Sequence, residues 1–228
     1  MIDLVSEHCL SRDHPLLVGL AGGVAVGKST FAAAIATELL DRGLRTDIVS
    51  TDGFLMANSR LAQLGISDRK GFPESYDTVE IHRFLDDMRA GLPSSVPVYD
   101  HQFYDVTDDA REVSDVDVVI FEGVNALHFG DRVDIGIYLD ADEDAMFGWF
   151  IDRALQFREA ARTTYSPFFT PWTEVTEEQF VMMARTVWAD VNLPNLSGYI
   201  RPTRESADVV VEKAGDHSIR SIEIRGAT

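Results

Sequence analysis

Residues 22–29 read GGVAVGKS, which carries the full G-x-x-x-x-G-K-[ST] spacing of a phosphate-binding loop, the Walker A motif. An apolar run at residues 16–21 leads into it, and a small-residue helical run at residues 31–40 leaves it. A strand that feeds a glycine-rich turn and then a helix aims several backbone N–H groups, with the positive end of the helix dipole, at one point. A polyphosphate fits that point. Gly22 and Gly27 let the backbone approach closely, and Gly23, Val24, Ala25, Val26 and Thr30 complete the turn. Lys28 sets a cation against the outer phosphates, and the Ser29 hydroxyl can hold Mg²⁺. The expected ligand is a nucleoside triphosphate.

Asp52, Glu122 and Arg153 could complete a phosphoryl-transfer site. Asp52 follows a strand expected at residues 46–50, and Glu122 follows one expected at residues 116–121. Ligands of a doubly wound sheet sit outside the carboxyl ends of the strands, so both acids should lie beside the loop. Either alone could be a cap or a solvated turn acid. Together, beside a loop that needs a metal, Glu122 is assigned to Mg²⁺, partly through water, and Asp52 to the reacting hydroxyl. In a helix expected over about residues 142–162, Met146, Phe150, Arg153 and Phe157 recur at spacings of three or four, which puts an arginine inside an apolar stripe. Arg153 either snorkels from the stripe edge, pairs with a core acid, or faces the transferred phosphoryl group from a lid. Arg158 and Arg162 are expected to be solvated.

The elements that must position these groups alternate strand and helix, which favours an α/β fold with a mostly parallel sheet covered on both faces. The helix after the loop should run from about Lys28 to Leu40 and stop near Gly43. A short buried strand follows at residues 46–50, and residues 58–76, with Gly65, Gly71 and Pro73, read as looser chain. Asp77, with Glu80 three places on, should cap a helix whose inner face is Ile81, Phe84, Leu85 and Met88 and which ends at Gly91. A second apolar strand is expected at residues 135–139. Thr176 and Gln179 form a capping box for a last long helix, whose stripe of Phe180, Met183, Ala184 and Val187 reads as core. A turn-like stretch with Asn192, Pro194 and Asn195 then leads to a final strand near residues 209–211. Spacing alone assigns neither asparagine a function.

With 228 residues, 45% of them hydrophobic, the chain can bury a sizeable core as one domain. Its 38 acidic against 20 basic residues give a formal net charge of −18. Such a surface repels phosphate backbones and anionic membranes, so neither nucleic acid nor membrane is an expected partner. An anionic ligand has to be received in a locally basic pocket. No apolar run is long enough to cross a bilayer, and residues 1–14 carry acids and histidines rather than a basic, apolar signal, so a cytoplasmic location is expected. The lone Cys9 cannot form an internal disulfide and reads as packing or as exposure near a mobile end.

The segments GLAGGVAVGKST, STDGF, RKGFPESYDT, PVYDHQFYDV, FEGVNAL, the W-F-I-D-R-x-L-x-F-R-E helix from Trp149, and VNLPNLSGYIRPTRESADVVVEK with Asp216-His217 just after follow one another from about Leu16 onward. In these segments the chain resembles the bacterial type I pantothenate kinases, of the uridine kinase and phosphoribulokinase group of P-loop kinases. KGFPESYD and YIRPTRESAD are far more specific than the phosphate loop. The resemblance implies a three-layer α/β/α P-loop kinase fold with a mostly parallel central sheet and a helical lid. Residues 1–228 would form one domain, with an N-terminal segment at 1–15 and a lid and substrate-covering region at 142–175. It implies ATP-dependent phosphorylation of the terminal hydroxyl of pantothenate, toward coenzyme A, with ATP and Mg²⁺ as cofactors, and a homodimer. By position in the motifs, Asp52 accepts the alcohol proton while Lys28 and Arg153 neutralise the transferring phosphoryl group. Ser29 and Glu122 hold Mg²⁺, Tyr99, His101, Tyr104, Phe157 and Asn192 line the pantothenate pocket, and Lys213 and His217 flank the adenine.

The chain also departs from that family. Only about fifteen residues precede the first strand, where family members carry a helical extension that walls the adenine site. Phe150 stands where the family has a tyrosine in the pantothenate pocket, and TTYSPFFTPW replaces an aspartate-proline-serine-tyrosine stretch, so the lid is remodelled. A paralogue that phosphorylates a nucleoside such as uridine, or another small alcohol, is the alternative within the kinase class. An ATP-hydrolysing switch and a non-catalytic pantothenate-binding regulator are the alternatives outside it. Ala33 matches an arginine that in the family helps hold the diphosphate of inhibitory coenzyme A, so feedback by coenzyme A is expected to be poor.

Overall fold

Residues 16–22, 118–122 and 135–141 are apolar almost throughout, and strands of that kind have to be covered on both faces. The computed structural model, which describes residues 1–10, 12, 14–101 and 103–225, covers them. Its strands are β1 (Leu16–Gly22), β2 (Thr46–Ser50), β3 (Ser94–Asp100), β4 (Asp105–Val113), β5 (Val118–Glu122), β6 (Ile135–Ala141), β7 (Val209–Lys213) and β8 (Ile219–Ile224). Its longer helices are α1 (Ile2–Leu10), α2 (Lys28–Asp41), α3 (Asn58–Leu64), α4 (Thr78–Arg89), α5 (Glu143–Ala160) and α6 (Glu177–Val187). The main sheet runs β2-β5-β1-β6-β7-β8, parallel except that β8 returns antiparallel to β7. With helices on both of its faces this is the expected α/β/α architecture. β3 and β4 pair apart from it as an antiparallel hairpin.

The local start signals act as read. The Asp77 side chain accepts the Glu80 N–H at 3.0 Å and starts α4, which buries Ile81, Phe84, Leu85 and Met88. Thr176 and Gln179 bond reciprocally and start α6. Sheet register then aligns the functional ends of three strands: Leu20 of β1 and Ser50 of β2 both stand opposite Glu122 of β5.

Several expectations need correcting. β2 buries only Val49, because it is the edge of the sheet and has a neighbour on one side. Residues 58–76 contain α3 rather than loose chain throughout. The stretch after α6 is not a turn. It continues as π-helical Trp188–Asn192 and Leu196–Ile200, then as the 3₁₀ turn Arg201–Ser206. A π turn takes an extra residue per turn and so re-aims the side chains that follow. α1 packs on α2 and buries Val5 and Cys9, whose thiol donates to the Asp117 carbonyl at 3.3 Å, so Cys9 is a packing residue. Among the described residues no helix is long and apolar enough to cross a membrane.

Candidate active site

β1 runs directly into the phosphate loop at Gly22, whose φ is +150° and whose Cβ, if it had one, would lie 2.3 Å from the Leu139 carbonyl oxygen of β6. Only glycine lets the loop leave the sheet so close to its neighbour. Ala25 and Gly27 take left-handed conformations, and α2 begins at Lys28. The Lys28 ammonium folds back to donate to the carbonyls of Gly22 (3.1 Å) and Gly23 (2.9 Å). From β7, the Lys213 ammonium donates to the Val26 carbonyl at 2.8 Å. Two cations therefore brace one loop.

The two acids occupy different surroundings. The Asp52 N–H donates to Ser50 Oγ at 3.2 Å, which turns the chain into the 3₁₀ segment Thr51–Phe54. Among the described residues no hydrogen bond or ion pair engages the Asp52 carboxylate. Glu122 is buried, and its Oε1 accepts the Ser29 hydroxyl at 2.9 Å. Burial pushes its carboxyl up from the usual range, while the Lys28 charge and the Ser29 bond pull the other way. The next residue must be glycine, since a Cβ on Gly123 would lie 1.7 Å from Thr51 Oγ1.

A cavity of about 320 Å³ opens over these groups. Val24, Ala25, Lys28, Ser29, Asp52 and Glu122 line its loop side. The β3–β4 hairpin contributes Tyr99, His101 and Tyr104, α5 contributes Phe150, Arg153 and Phe157, and the π turn contributes Asn192. Burial draws the Lys28 ammonium down to about 8, against the attraction of Glu122 and with the repulsion of Arg153. Arg153 is likewise drawn down by burial and held up by Asp52 and Tyr104. It has no ion-pair partner among the described residues, and it lines the cavity. Phe150, Arg153 and Phe157 of the stripe that carries it therefore form a cavity wall. Of that stripe Met146 is fully buried, and Phe150 and Phe157 are half-buried.

The remaining assigned residues lie in the loop itself or behind it. Gly22, Gly23, Val26 and Gly27 shape its backbone, and Thr30 is exposed in the first turn of α2. His217 stacks on the Trp149 ring with centroids 4.2 Å apart, and its Nδ1 is 3.3 Å from the Lys213 ammonium. Neither Lys213 nor His217 reaches the cavity.

Other positions add to expectation or differ from it. The α6 stripe of Phe180, Met183, Ala184 and Val187 is packed as read, with Phe180 and Ala184 buried, and it also lines the cavity. Arg158 is buried instead of solvated. Its guanidinium donates to the carbonyls of Trp172 and Val175 and lies 5.5 Å from the Phe180 ring centroid. These carbonyls end the 3₁₀ turn Thr170–Glu174, where backbone acceptors lack partners of their own. Lys70 was missed. Its ammonium lines the cavity, donates to Asn58 Oδ1 (2.6 Å) and the Tyr104 carbonyl (2.5 Å), and lies 4.5 Å from the Tyr104 ring centroid. Burial draws it to about 8. The signal was a lysine at the head of the specific KGFPESYD segment.

A phosphate-binding loop set between the inner strand of a parallel sheet and the helix that follows, below a cavity at the strands' carboxyl ends, defines a class, the P-loop kinases. The Phosphoribulokinase / Uridine kinase family matches over residues 17–164. The pantothenate kinase of Vibrio vulnificus (strain CMCP6) is 37% identical over 227 residues, covering 92% of this chain and 74% of that protein. The pantothenate kinase of Escherichia coli (strain K12 / DH10B) is 38% identical over 229 residues, covering 92% and 72%. The chain belongs to the phosphoribulokinase/uridine kinase family and, within it, to the pantothenate kinases. It is thus an ATP-using phosphotransferase with an alcohol acceptor. Among solved structures, D-glycerate 3-kinase from Cryptococcus neoformans superposes with a TM-score of 0.70 at 16% identity, covering 98% of this chain and 96% of that one. Phosphoribulokinase from Rhodobacter spheroides gives 0.59 at 15%, covering 87% and 70%. At these identities the likeness is one of fold.

Proposed function

We propose that this chain transfers the γ-phosphate of ATP to the primary hydroxyl of pantothenate, the first committed step toward coenzyme A. The observation that carries the reading is the convergence of Lys28, Arg153 and an unengaged Asp52 on one cavity. Asp52 accepts the hydroxyl proton as the acceptor oxygen bonds to the γ-phosphorus and the bond from that phosphorus to the β-phosphate oxygen breaks, releasing ADP. Lys28 and Arg153 face the charge spread over the transferring phosphoryl oxygens, where fixed cations lower the barrier without reorganising. The donors of Ser29 and Glu122 are hard oxygens, which suit Mg²⁺, and two protein ligands are what a magnesium shared with substrate phosphates needs. Bound there, the ion would neutralise negative charge on the phosphates.

Pantothenate carries a carboxylate at the end away from its reacting hydroxyl, and a cation not used for phosphate can receive that end. Lys70, beside Tyr99 and Tyr104, supplies it. Asn192 Nδ2 is buried without a protein partner and supports a polar contact with the acceptor. Phe150 and Phe157 offer an apolar wall to the substrate's methyl groups. The hydroxyl that Phe150 lacks costs about 1 kcal/mol if the substrate needs it. The segment after α5, tied down by Arg158, supports the assignment of residues 142–175 as the cover of the site. Lys213 and His217, behind the loop, are the residues proposed beside the adenine.

An ADP-release assay across pantothenate, pantetheine, uridine and simple sugars tests the reading. Pantothenate should give the highest kcat/KM. A higher value for uridine transfers the assignment to the nucleoside kinases, and equal ADP release with no acceptor points to a switch.

A further inference from the structure

Lys213 ends β7, two places from β1 in the main sheet, and its ammonium reaches back to the phosphate loop to donate to the Val26 carbonyl at 2.8 Å. The side chain is buried, at 8% exposure, with His217 Nδ1 3.3 Å and the Trp149 ring centroid 5.0 Å from the nitrogen. A cation in such a place is costly unless it is bonded, and the Val26 oxygen is the backbone acceptor it uses. The fit is close. A Cβ on Gly27 would lie 2.9 Å from the ammonium, so the glycine before α2 also leaves room for the lysine.

The Val26 carbonyl and the Gly27 N–H are the two ends of one peptide unit. The peptide is trans, so the two groups point in opposite directions from a rigid plane. A cation fixed on the oxygen therefore fixes where the N–H is aimed, and by polarising the unit it makes that N–H a stronger donor. Among the described residues nothing accepts the Gly27 N–H. It stands in the G-K-S turn of the phosphate motif, where backbone N–H groups cradle phosphate. Lys28 is the loop's other brace, through Gly22 and Gly23, but it lines the cavity and its charge is the one assigned to the phosphates. Lys213 does not line the cavity.

We propose that Lys213 is a positioning residue for the phosphates of the nucleotide. It holds the Val26–Gly27 peptide so that the Gly27 N–H is presented to them, and it stays in place when Lys28 turns to its ligand. Though placed beside the adenine, it acts on ATP through the loop backbone rather than through the base. The proposal concerns the donor nucleotide and is the same whichever alcohol accepts the phosphoryl group.

Calorimetry on the full chain with Mg²⁺ tests it, with ATP, inorganic tripolyphosphate and adenosine as ligands. Lys213→Met keeps most of the apolar stem and removes the charge. Kd for tripolyphosphate and for ATP should each rise about tenfold, while Kd for adenosine stays within about threefold. In ¹H–¹⁵N spectra of the ADP complex, the Gly27 amide proton should stand far downfield in the wild type and move upfield in the variant. Should Lys213→Met fail to fold, Lys213→Gln, uncharged and one bond shorter, should show the same split. Weaker adenosine binding with tripolyphosphate unchanged would make Lys213 a contact of the base, and a lowered Tm with all three affinities unchanged would make it scaffolding. Either result overturns the proposal. Lost tripolyphosphate affinity with the Gly27 amide unmoved would leave only a long-range effect of charge and overturn it as well. If the wild type binds no tripolyphosphate, the reading of the loop as the phosphate site itself fails and takes the proposal with it.

Discussion

Asp52→Asn is nearly isosteric and removes a negative charge and a proton acceptor together. Since no protein group bonds to the carboxylate, the fold loses no contact, and stability should change by less than about 1 kcal/mol. ATP should bind at least as well, because the loop backbone, Lys28 and Ser29 are untouched and an anion has left the cavity. Turnover is another matter. A positioned acid–base group is worth about 10²- to 10⁴-fold, or roughly 2.7–5.4 kcal/mol of barrier. Asp52 also holds up the proton affinities of Lys28, Lys70 and Arg153, so its loss lets burial pull the two lysines below about 8. The remaining activity should then fall off at lower pH than in the wild type. Single-turnover kinetics at saturating ATP, with ADP binding measured by calorimetry and Tm by thermal melting, separate these effects. A kcat within tenfold of wild type at unchanged nucleotide affinity would refute the assignment of Asp52 as the proton acceptor.

Three further outcomes are expected. Lys70 is cationic below about 8 and loses its proton above it, so kcat/KM for pantothenate should descend as pH rises through about 8, by up to tenfold per unit. The neutral N-methyl amide of pantothenate should lack the part of that limb due to Lys70, and matching profiles for the two acceptors would contradict the role given to it. Arg158→Met strands the carbonyls of Trp172 and Val175 and should cost about 2–4 kcal/mol in urea unfolding, with a raised KM for the acceptor. A loss below about 0.5 kcal/mol would show that those bonds do not hold the segment. Ala33 lies on the exposed face of α2, so coenzyme A should inhibit weakly and Ala33→Arg should strengthen inhibition about fivefold or more. Submicromolar inhibition of the wild type, competitive with ATP, would contradict this.

What could be read from the chain alone is what depends on neighbours in sequence. The phosphate loop spans eight consecutive residues whose backbone groups do the binding, and the Asp77 and Thr176 caps act over three. Apolar runs bounded by Asp52 and Glu122 placed both acids at strand ends, because a parallel sheet presents those ends together. Tertiary structure decided the rest. A helical stripe reports which face is apolar and not everything that it meets, so the α6 stripe was legible as core while its second role in lining the cavity was not. Arg158 looked solvated for the converse reason, since its partners are backbone carbonyls fourteen and seventeen residues away that carry no sequence signature. Lys70 joins the site through contacts with Asn58 and Tyr104, and the Val26 carbonyl gains its donor from Lys213, 187 positions distant. Local chemistry is written locally, whereas the choice between a packed wall and a binding wall is made only when remote segments close over it.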